Sequence, residues 1–221
     1  CALLHDIGHA PFSHALEGVC GVRHEERASE IVRDPDSDIH QVLAEVDASF
    51  PERVATWMHG AADQPPFLYE LVSSQLDADR LDYILRDGRM TGVKIGSYDL
   101  ERILAMLDVV DGHLAVHAGG QAAVEGYLLA RFHMYQQVYL HKTSRGAERV
   151  LVETLKRAGE LHREGKGPVH WPTGSLGALL EGRPLAPMAF VALDDFEIWI
   201  TLKALPPPTI LLLRTATNEG P

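Results

Sequence analysis

His5-Asp6-Ile7-Gly8-His9-Ala10-Pro11-Phe12-Ser13-His14 is the stretch on which the reading of this 221-residue chain turns. It places three histidines and an aspartate within ten residues, around Gly8 and Pro11. Proline donates no backbone hydrogen bond and biases the preceding residue away from helical geometry, so one uninterrupted helix is disfavoured. The pattern predicts a helix ending near Asp6, a tight turn, and a short helix from Phe12 to Leu16. Another helix opens at His24-Glu25-Glu26, whose acidic first turn suits the positive end of the helix dipole.

Working outward, helical spacing predicts elements over 39–48 and 50–59, separated by Pro51. A long helix is expected over 65–87 after Pro65-Pro66, ended by the turn from Gly88 to Gly92, and Ser97 is the expected N-cap of the next helix. Asp111-Gly112 predicts a small hairpin within 107–118. From Gln121 to His162 the apolar spacing is helical again, with a break expected near Thr143–Gly146. A loop over 165–168, a short helix over 175–180 and a helix over 189–204 capped by Asp194 or Asp195 follow, with Pro206-Pro207-Pro208 as a linker. The expected fold class is all-α, with one β-hairpin excursion. A core over 1–165 and a mostly helical appendage or continuation over 166–221 are expected.

Composition narrows the class. Apolar residues make up 46% of the chain, and no run approaches the eighteen uncharged apolar residues of a membrane span. The net charge of −11 does not favour nonspecific nucleic-acid binding, although a divalent ion can invert the local field of an acidic pocket for a phosphate-bearing ligand. Cys1 and Cys20 make no disulfide framework, and a reducing, cytoplasmic setting is expected. Cys1-Ala2-Leu3-Leu4 reads as the end of a helix, with the expectation that chain precedes it.

His5 and Asp6 are adjacent, so on a regular helix they point about 100° apart; at a helix end both can converge on one ion. Imidazole with carboxylate suits Mn, Fe, Ni, Co or Zn, and also Mg. A lone His-Asp pair is most often a surface pair. Four of the twelve histidines within the first twenty-four residues tilt the balance toward chemistry. A second constellation lies over 75–87. There Leu81, Ile84 and Leu85 share a face with Ala78, while Asp79, Asp82, Tyr83, Arg86 and Asp87 share the other, with Arg80 at its edge. The plain reading is a solvated face of weak ion pairs; beside a metal cluster it reads as a site. Arg131, Tyr135, Tyr139 and Lys142 recur at about one-turn intervals, as an amphipathic interface or as rings for a base and cations for phosphate.

These motifs resemble the HD superfamily of metal-dependent phosphohydrolases, and more narrowly its deoxynucleoside triphosphate triphosphohydrolases, over roughly residues 1–150. The resemblance implies an HD-domain helical bundle in which His5, Asp6, Asp79 and a histidine upstream of Cys1 bind a divalent ion. It implies catalytic or phosphate-facing roles for His9, His14, His24 and Glu25, with His14 or His24 protonating the leaving group or orienting the attack. Arg80 stands where the family has a phosphate-binding lysine. Tyr83 and Asp87 match residues near the sugar, and Arg131, Tyr139 and Lys142 match the nucleotide pocket. The implied reaction releases tripolyphosphate from a deoxynucleoside triphosphate. Alternatives are a nucleoside monophosphatase, a cyclic-nucleotide phosphodiesterase, or a nucleotide-sensing module without catalysis. A homo-oligomer is the expected assembly.

Overall fold

The computed structural model describes residues 1–61, 63–166 and 171–204. The Pro206-Pro207-Pro208 linker and positions 167 and 168 of the expected loop lie outside them. In chain order the helices are α1 (His14–Cys20), α2 (His24–Arg33), α3 (Asp38–Val46), α4 (Phe50–Trp57), α5 (Pro66–Glu70), α6 (Ala78–Thr91) and α7 (Leu100–Met106). Strands β1 (Leu107–Val110) and β2 (His113–Val116) come next, then α8 (Gln121–Met134), α9 (Lys142–Arg163), α10 (Gly174–Leu180), α11 (Pro187–Val191) and α12 (Asp195–Ala204). The fold is therefore mostly helical with one hairpin, as the sequence predicts. Among the described residues no helix is long and apolar enough to cross a membrane.

The chain divides into two compact units. One comprises Cys1–His5 and Arg53–Arg145; the other comprises Asp6–Glu52 and the described residues from Gly146 on.

In the first unit Leu81, Ile84, Ile103, Tyr127, Ala130 and Met134 form the buried core. Tyr127 is fully buried, and its hydroxyl donates to the Gln75 carbonyl at 2.7 Å, so no polar atom is stranded. The helix expected over 65–87 is two helices. Asp77 interrupts it: its carboxylate accepts from the backbone N–H of Arg80 at 2.7 Å and of Ser74 at 3.1 Å. It thereby caps α6, and turns fill the interval after α5. α6 continues through Gly88 and ends at Gly92, whose φ of 74° is the left-handed cap that glycine favours. Asp99, not Ser97, caps α7, by accepting from Arg102 N at 2.9 Å.

The hairpin turns at Asp111 and Gly112, with φ of 52° and 82°, and pairs Leu107 with Val116 and Val110 with His113. Positive φ at both turn positions matches the strand twist. α8 passes into a π-helical turn over Tyr135–Tyr139, and the break falls at Leu140–His141, slightly before the predicted place.

The second unit has its own core of Leu16, Leu155, Leu176, Leu179, Leu180, Phe190 and Ile198. Gly159 of α9 lets α10 approach: a Cβ there would lie 2.7 Å from the Leu180 carbonyl oxygen. The helix expected over 189–204 is split into α11 and α12. Asp194 lies before α12 and accepts from Glu197 N at 2.9 Å, the cap expected from the sequence.

Candidate active site

Residues 1–8 are not the end of a regular helix but a run of turns, in which the N–H groups of Leu4 and His5 donate to the Cys1 carbonyl at 2.8 and 3.0 Å. This local winding also sets the imidazole of His5, whose Nδ1 lies 2.9 Å from the Ala2 carbonyl oxygen. A carbonyl only accepts, so Nδ1 carries the proton and Nε2 the lone pair, the tautomer a metal ligand requires. Asp79 sits in the first turn of α6, two residues after the Asp77 cap. Both residues belong to the first unit, and a ligand atom of each lies within 4.8 Å of the other.

The rest of the polar face of α6 is more tightly paired than its sequence suggests. The Arg80 guanidinium pairs with the Asp77 carboxylate and donates to the Ser74 carbonyl at 2.7 Å. Arg86 pairs with Asp82. The Tyr139 hydroxyl donates to Asp87 Oδ2 at 2.7 Å, and the ring of Tyr83 meets that of Tyr139 edge-on at 5.8 Å. Burial, followed by the hydrogen bond to Asp87, pushes the Tyr139 phenol well above its usual range, so it remains a donor. Burial and then Tyr135 push Tyr83 up in the same way. Arg131 donates to Gln75 Oε1 at 2.6 Å and lies 5.8 Å from the Tyr135 ring centroid. Lys142 is exposed at the start of α9. Tyr83, Asp87 and Tyr139 thus come together, and Arg131 belongs to a neighbouring group with Gln75 and Tyr135.

In the second unit His9, His14 and His24 gather around one carboxylate, that of Glu17. Its Oε1 lies 2.9 Å from His14 Nδ1 and 2.5 Å from His24 Nδ1. The His9 and His24 rings stack at 4.1 Å and 14°, and His14 meets His9 edge-on at 4.6 Å. Asp6 Oδ1 lies 3.5 Å from His9 Nε2 and 3.9 Å from His24 Nε2, and Glu25 Oε1 is 3.6 Å from His24 Nε2. Burial, then the neighbouring His24, pushes His9 below its usual value. Burial raises Glu17, but the hydrogen bonds from His24 and His14 outweigh it and hold the carboxyl below the usual range.

The backbone that brings these groups together departs from the predicted helix. Phe12 and Ser13 have φ of 58° and 50°, so α1 starts only at His14. The Phe12 N–H donates to Asp195 Oδ1 at 2.9 Å, and the Phe12 ring meets Trp199 edge-on at 5.6 Å. Gly8 packs against α2 so closely that a Cβ would fall 2.0 Å from the His24 carbonyl oxygen.

Sequence reasoning passed over Glu17. Its signal was its spacing, since a residue three positions after His14 on the same helix shares its face.

A model of the HD associated region matches residues 98–166. The Bacillus subtilis uncharacterized protein YwfO is 39% identical over 204 residues, covering 90% of this chain and 46% of that protein. A crystal structure of a phosphohydrolase from Bacteroides thetaiotaomicron superposes with a TM-score of 0.75 at 40% identity, covering 91% of this chain and 50% of that one. A Dictyostelium discoideum homologue of the deoxynucleoside triphosphate triphosphohydrolase SAMHD1 is 24% identical over 170 residues, covering 72% of this chain and 32% of that protein. The chain spans about half the length of the two bacterial relatives, and less of the third.

Proposed function

The chain belongs to the HD superfamily of metal-dependent phosphohydrolases, and from that premise we propose that it hydrolyses deoxynucleoside triphosphates to a deoxynucleoside and tripolyphosphate. The observation that carries the reading is the approach of His5 to Asp79, more than seventy residues later in the sequence, to within 4.8 Å between ligand atoms. The resemblance to HD phosphohydrolases adds Asp6, the next residue in the chain, as a third ligand. The donor set fits a divalent ion. The Ala2 carbonyl holds His5 in the tautomer that presents Nε2, and two carboxylates supply hard oxygen donors. Mn, Mg, Fe, Ni, Co and Zn are all compatible with it. Such an ion, when bound, supplies a Lewis acid for a phosphoryl oxygen.

The chain's own residues would do the remainder. Glu17 orients His14 and His24 through their Nδ1 atoms, so each presents Nε2 for proton exchange. His14 is the better proton donor to the leaving oxygen, because its side chain is 68% exposed whereas that of His24 is 13% exposed. Burial keeps His9 neutral near pH 7, which suits a hydrogen-bonding role better than a charged one. Glu25 faces His24 from the start of α2 and would steady its charge. Tyr83, Asp87 and Tyr139 form a polar-aromatic wall suited to a sugar and base. Arg131 and Lys142 would meet the phosphates. Arg80, tied to Asp77, would set the start of α6 and so the position of Asp79. The similarity to the triphosphohydrolase from Dictyostelium favours this substrate over a nucleoside monophosphate or a cyclic nucleotide.

The test is Asp79→Ala in the purified chain, with metal content and release of tripolyphosphate from a panel of nucleotides as readouts. The expected result is loss of bound metal and of turnover with helical content retained. Normal turnover with full metal occupancy would sink the assignment. Orthophosphate from monophosphates, or opening of a cyclic ring, would transfer the site to the other substrate classes.

A further inference from the structure

We propose that His9, His14, His24 and Glu17 form a second metal site, selective for a borderline ion of the zinc type, which competes with their use in proton transfer. It lies wholly in the second unit, and its four ligands include none of His5, Asp6 and Asp79, although Asp6 Oδ1 stands 3.5 Å from His9 Nε2. One ligand atom from each of the four residues lies within 4.8 Å of the others.

Donor chemistry, ring geometry and one orphaned atom all point to an ion. Three imidazoles with one carboxylate is a nitrogen-rich set that suits zinc and disfavours magnesium and calcium, which take oxygen ligands. In a tetrahedral site with bonds of about 2.0–2.1 Å, neighbouring donors stand roughly 3.3 Å apart. The edges from Glu17 Oε1 to His14 Nδ1 and His24 Nδ1 are 2.9 and 2.5 Å, within about 1 Å of that spacing. Protons now bridge both edges; an ion that displaced them would widen each by less than an ångström. Among the described residues His9 Nδ1 is buried with no hydrogen-bond partner, an unmet demand that rotation toward an ion would satisfy. The ring centroids lie only 4.1 to 5.0 Å apart. Rings held that close can turn their nitrogens onto one shared cation.

The consequence follows from the atoms involved. The ion would take the Nδ1 lone pairs of His14 and His24 and the Glu17 oxygen that orients them. Glu17 would then accept from neither ring, so the orientation that presents Nε2 of His14 and His24 for proton exchange would be lost. Binding displaces the protons from these nitrogens, so protons compete with the ion for the site. Regulation of the proposed active site by zinc rests on the reading of that site as a phosphohydrolase; the existence of the second ion does not.

The test is zinc stoichiometry of the full chain by equilibrium dialysis and elemental analysis, read alongside the visible spectrum of the cobalt-substituted protein. Wild type is expected to bind two equivalents. Asp79→Ala and His14→Ala are each expected to keep one, and the double variant none. Because the His14 side chain is 68% exposed, its removal leaves the core intact. A tetrahedral cobalt band should persist in Asp79→Ala and vanish in His14→Ala. The proposal is overturned if His14→Ala binds as much zinc as wild type, or if wild type binds a single equivalent that Asp79→Ala abolishes. If Asp79→Ala changes nothing while His14→Ala loses an equivalent, the second site stands and the assignment of the first fails.

Discussion

Glu17 Oε1 accepts from His24 Nδ1 at 2.5 Å, and the same oxygen accepts from His14 at 2.9 Å. One carboxylate therefore sets the orientation and tautomer of two imidazoles. Glu17→Gln is expected to lower kcat by about 10²-fold, the lower end of what general acid–base groups supply, with KM little changed. Steady-state kinetics on the best substrate of the panel checks this, and an unchanged kcat would remove Glu17 from the mechanism.

The same carboxylate gives a pH signature. The His24 and His14 hydrogen bonds hold Glu17 below its reference value of 4.5 in the folded state. A depressed carboxyl contributes stability above its unfolded value and loses it as pH falls through the folded one. Wild type should therefore be more stable than Glu17→Gln at neutral pH, with the difference shrinking below about pH 4.5. Urea midpoints at several pH values would reveal a constant gap if this linkage is wrong.

Asp195 is expected to hold the entry to α1. Non-glycine residues at positive φ cost about 1–3 kcal/mol each and persist only where contacts over-determine them. Phe12 and Ser13 are two such residues in succession, and the contacts come from α12: the Asp195 carboxylate on Phe12 N and the Trp199 ring on that of Phe12. Asp195→Ala should lower kcat about tenfold, the equivalent of roughly 1.4 kcal/mol, with little effect on Tm, because the bond is exposed. Asp195→Asn keeps an acceptor oxygen and should restore most of the rate. Equal loss in both variants would argue against the backbone clamp.

This turn marks the limit of what the sequence disclosed. Pro11 and Gly8 announce a bend, and the periodicity of Leu81, Ile84 and Leu85 announces a buried face of α6. Both signals are local. Left-handed Phe12 depends on a carboxylate 183 residues away, and nothing near Phe12 encodes it. The hairpin was legible because Asp111-Gly112 alone specifies its turn. The split between α5 and α6 was not, because Leu76, Asp77 and Ala78 carry no proline or glycine. Only the competition of the Asp77 side chain for backbone N–H groups breaks the helix there. The histidines were visible as a group, whereas Glu17, their shared partner, looked like any acidic residue early in a helix.

Asp77 should accordingly behave as a structural keystone. It is 1% exposed, caps α6 and pairs with Arg80. Asp77→Ala removes the cap and the charged partner of Arg80, leaving its guanidinium only the Ser74 carbonyl, at an expected cost of about 2–3 kcal/mol. For a chain of this size that is roughly 4–12 °C in Tm. Thermal unfolding followed by circular dichroism tests it, and a shift within a degree of wild type would contradict the capping role.

Gly8 is expected to tolerate no side chain. A Cβ there would lie 2.0 Å from His24 O, 2.5 Å from Ala28 N and 3.0 Å from Arg27 Cβ, the first two of them backbone atoms of α2 that cannot rotate away. Gly8→Ala must push α2 off the Asp6–His9 turn, at about 1–3 kcal/mol or more for overpacking. Because His24 opens α2, the displacement should also lengthen its contact with Glu17. The variant is thus expected to lose activity in excess of its loss of stability. Comparing kcat at a temperature where it is fully folded separates the two, and full activity there would mean that α2 moves without carrying His24 off Glu17.

Tyr139 tests the substrate wall separately from the chemistry. Its hydroxyl is held as a donor to Asp87 by burial and by that bond, and its ring meets those of Tyr83 and Tyr135 edge-on. Tyr139→Phe keeps the rings and removes the donor, leaving the Asp87 carboxylate without its partner. If this group binds sugar and base, KM should rise about five- to tenfold, equivalent to roughly 1–1.4 kcal/mol of binding, while kcat stays within about twofold. Loss of kcat at constant KM would instead place Tyr139 at the reacting atoms. No change in either would return the Tyr83–Asp87–Tyr139 group to the role of an ordinary helix interface.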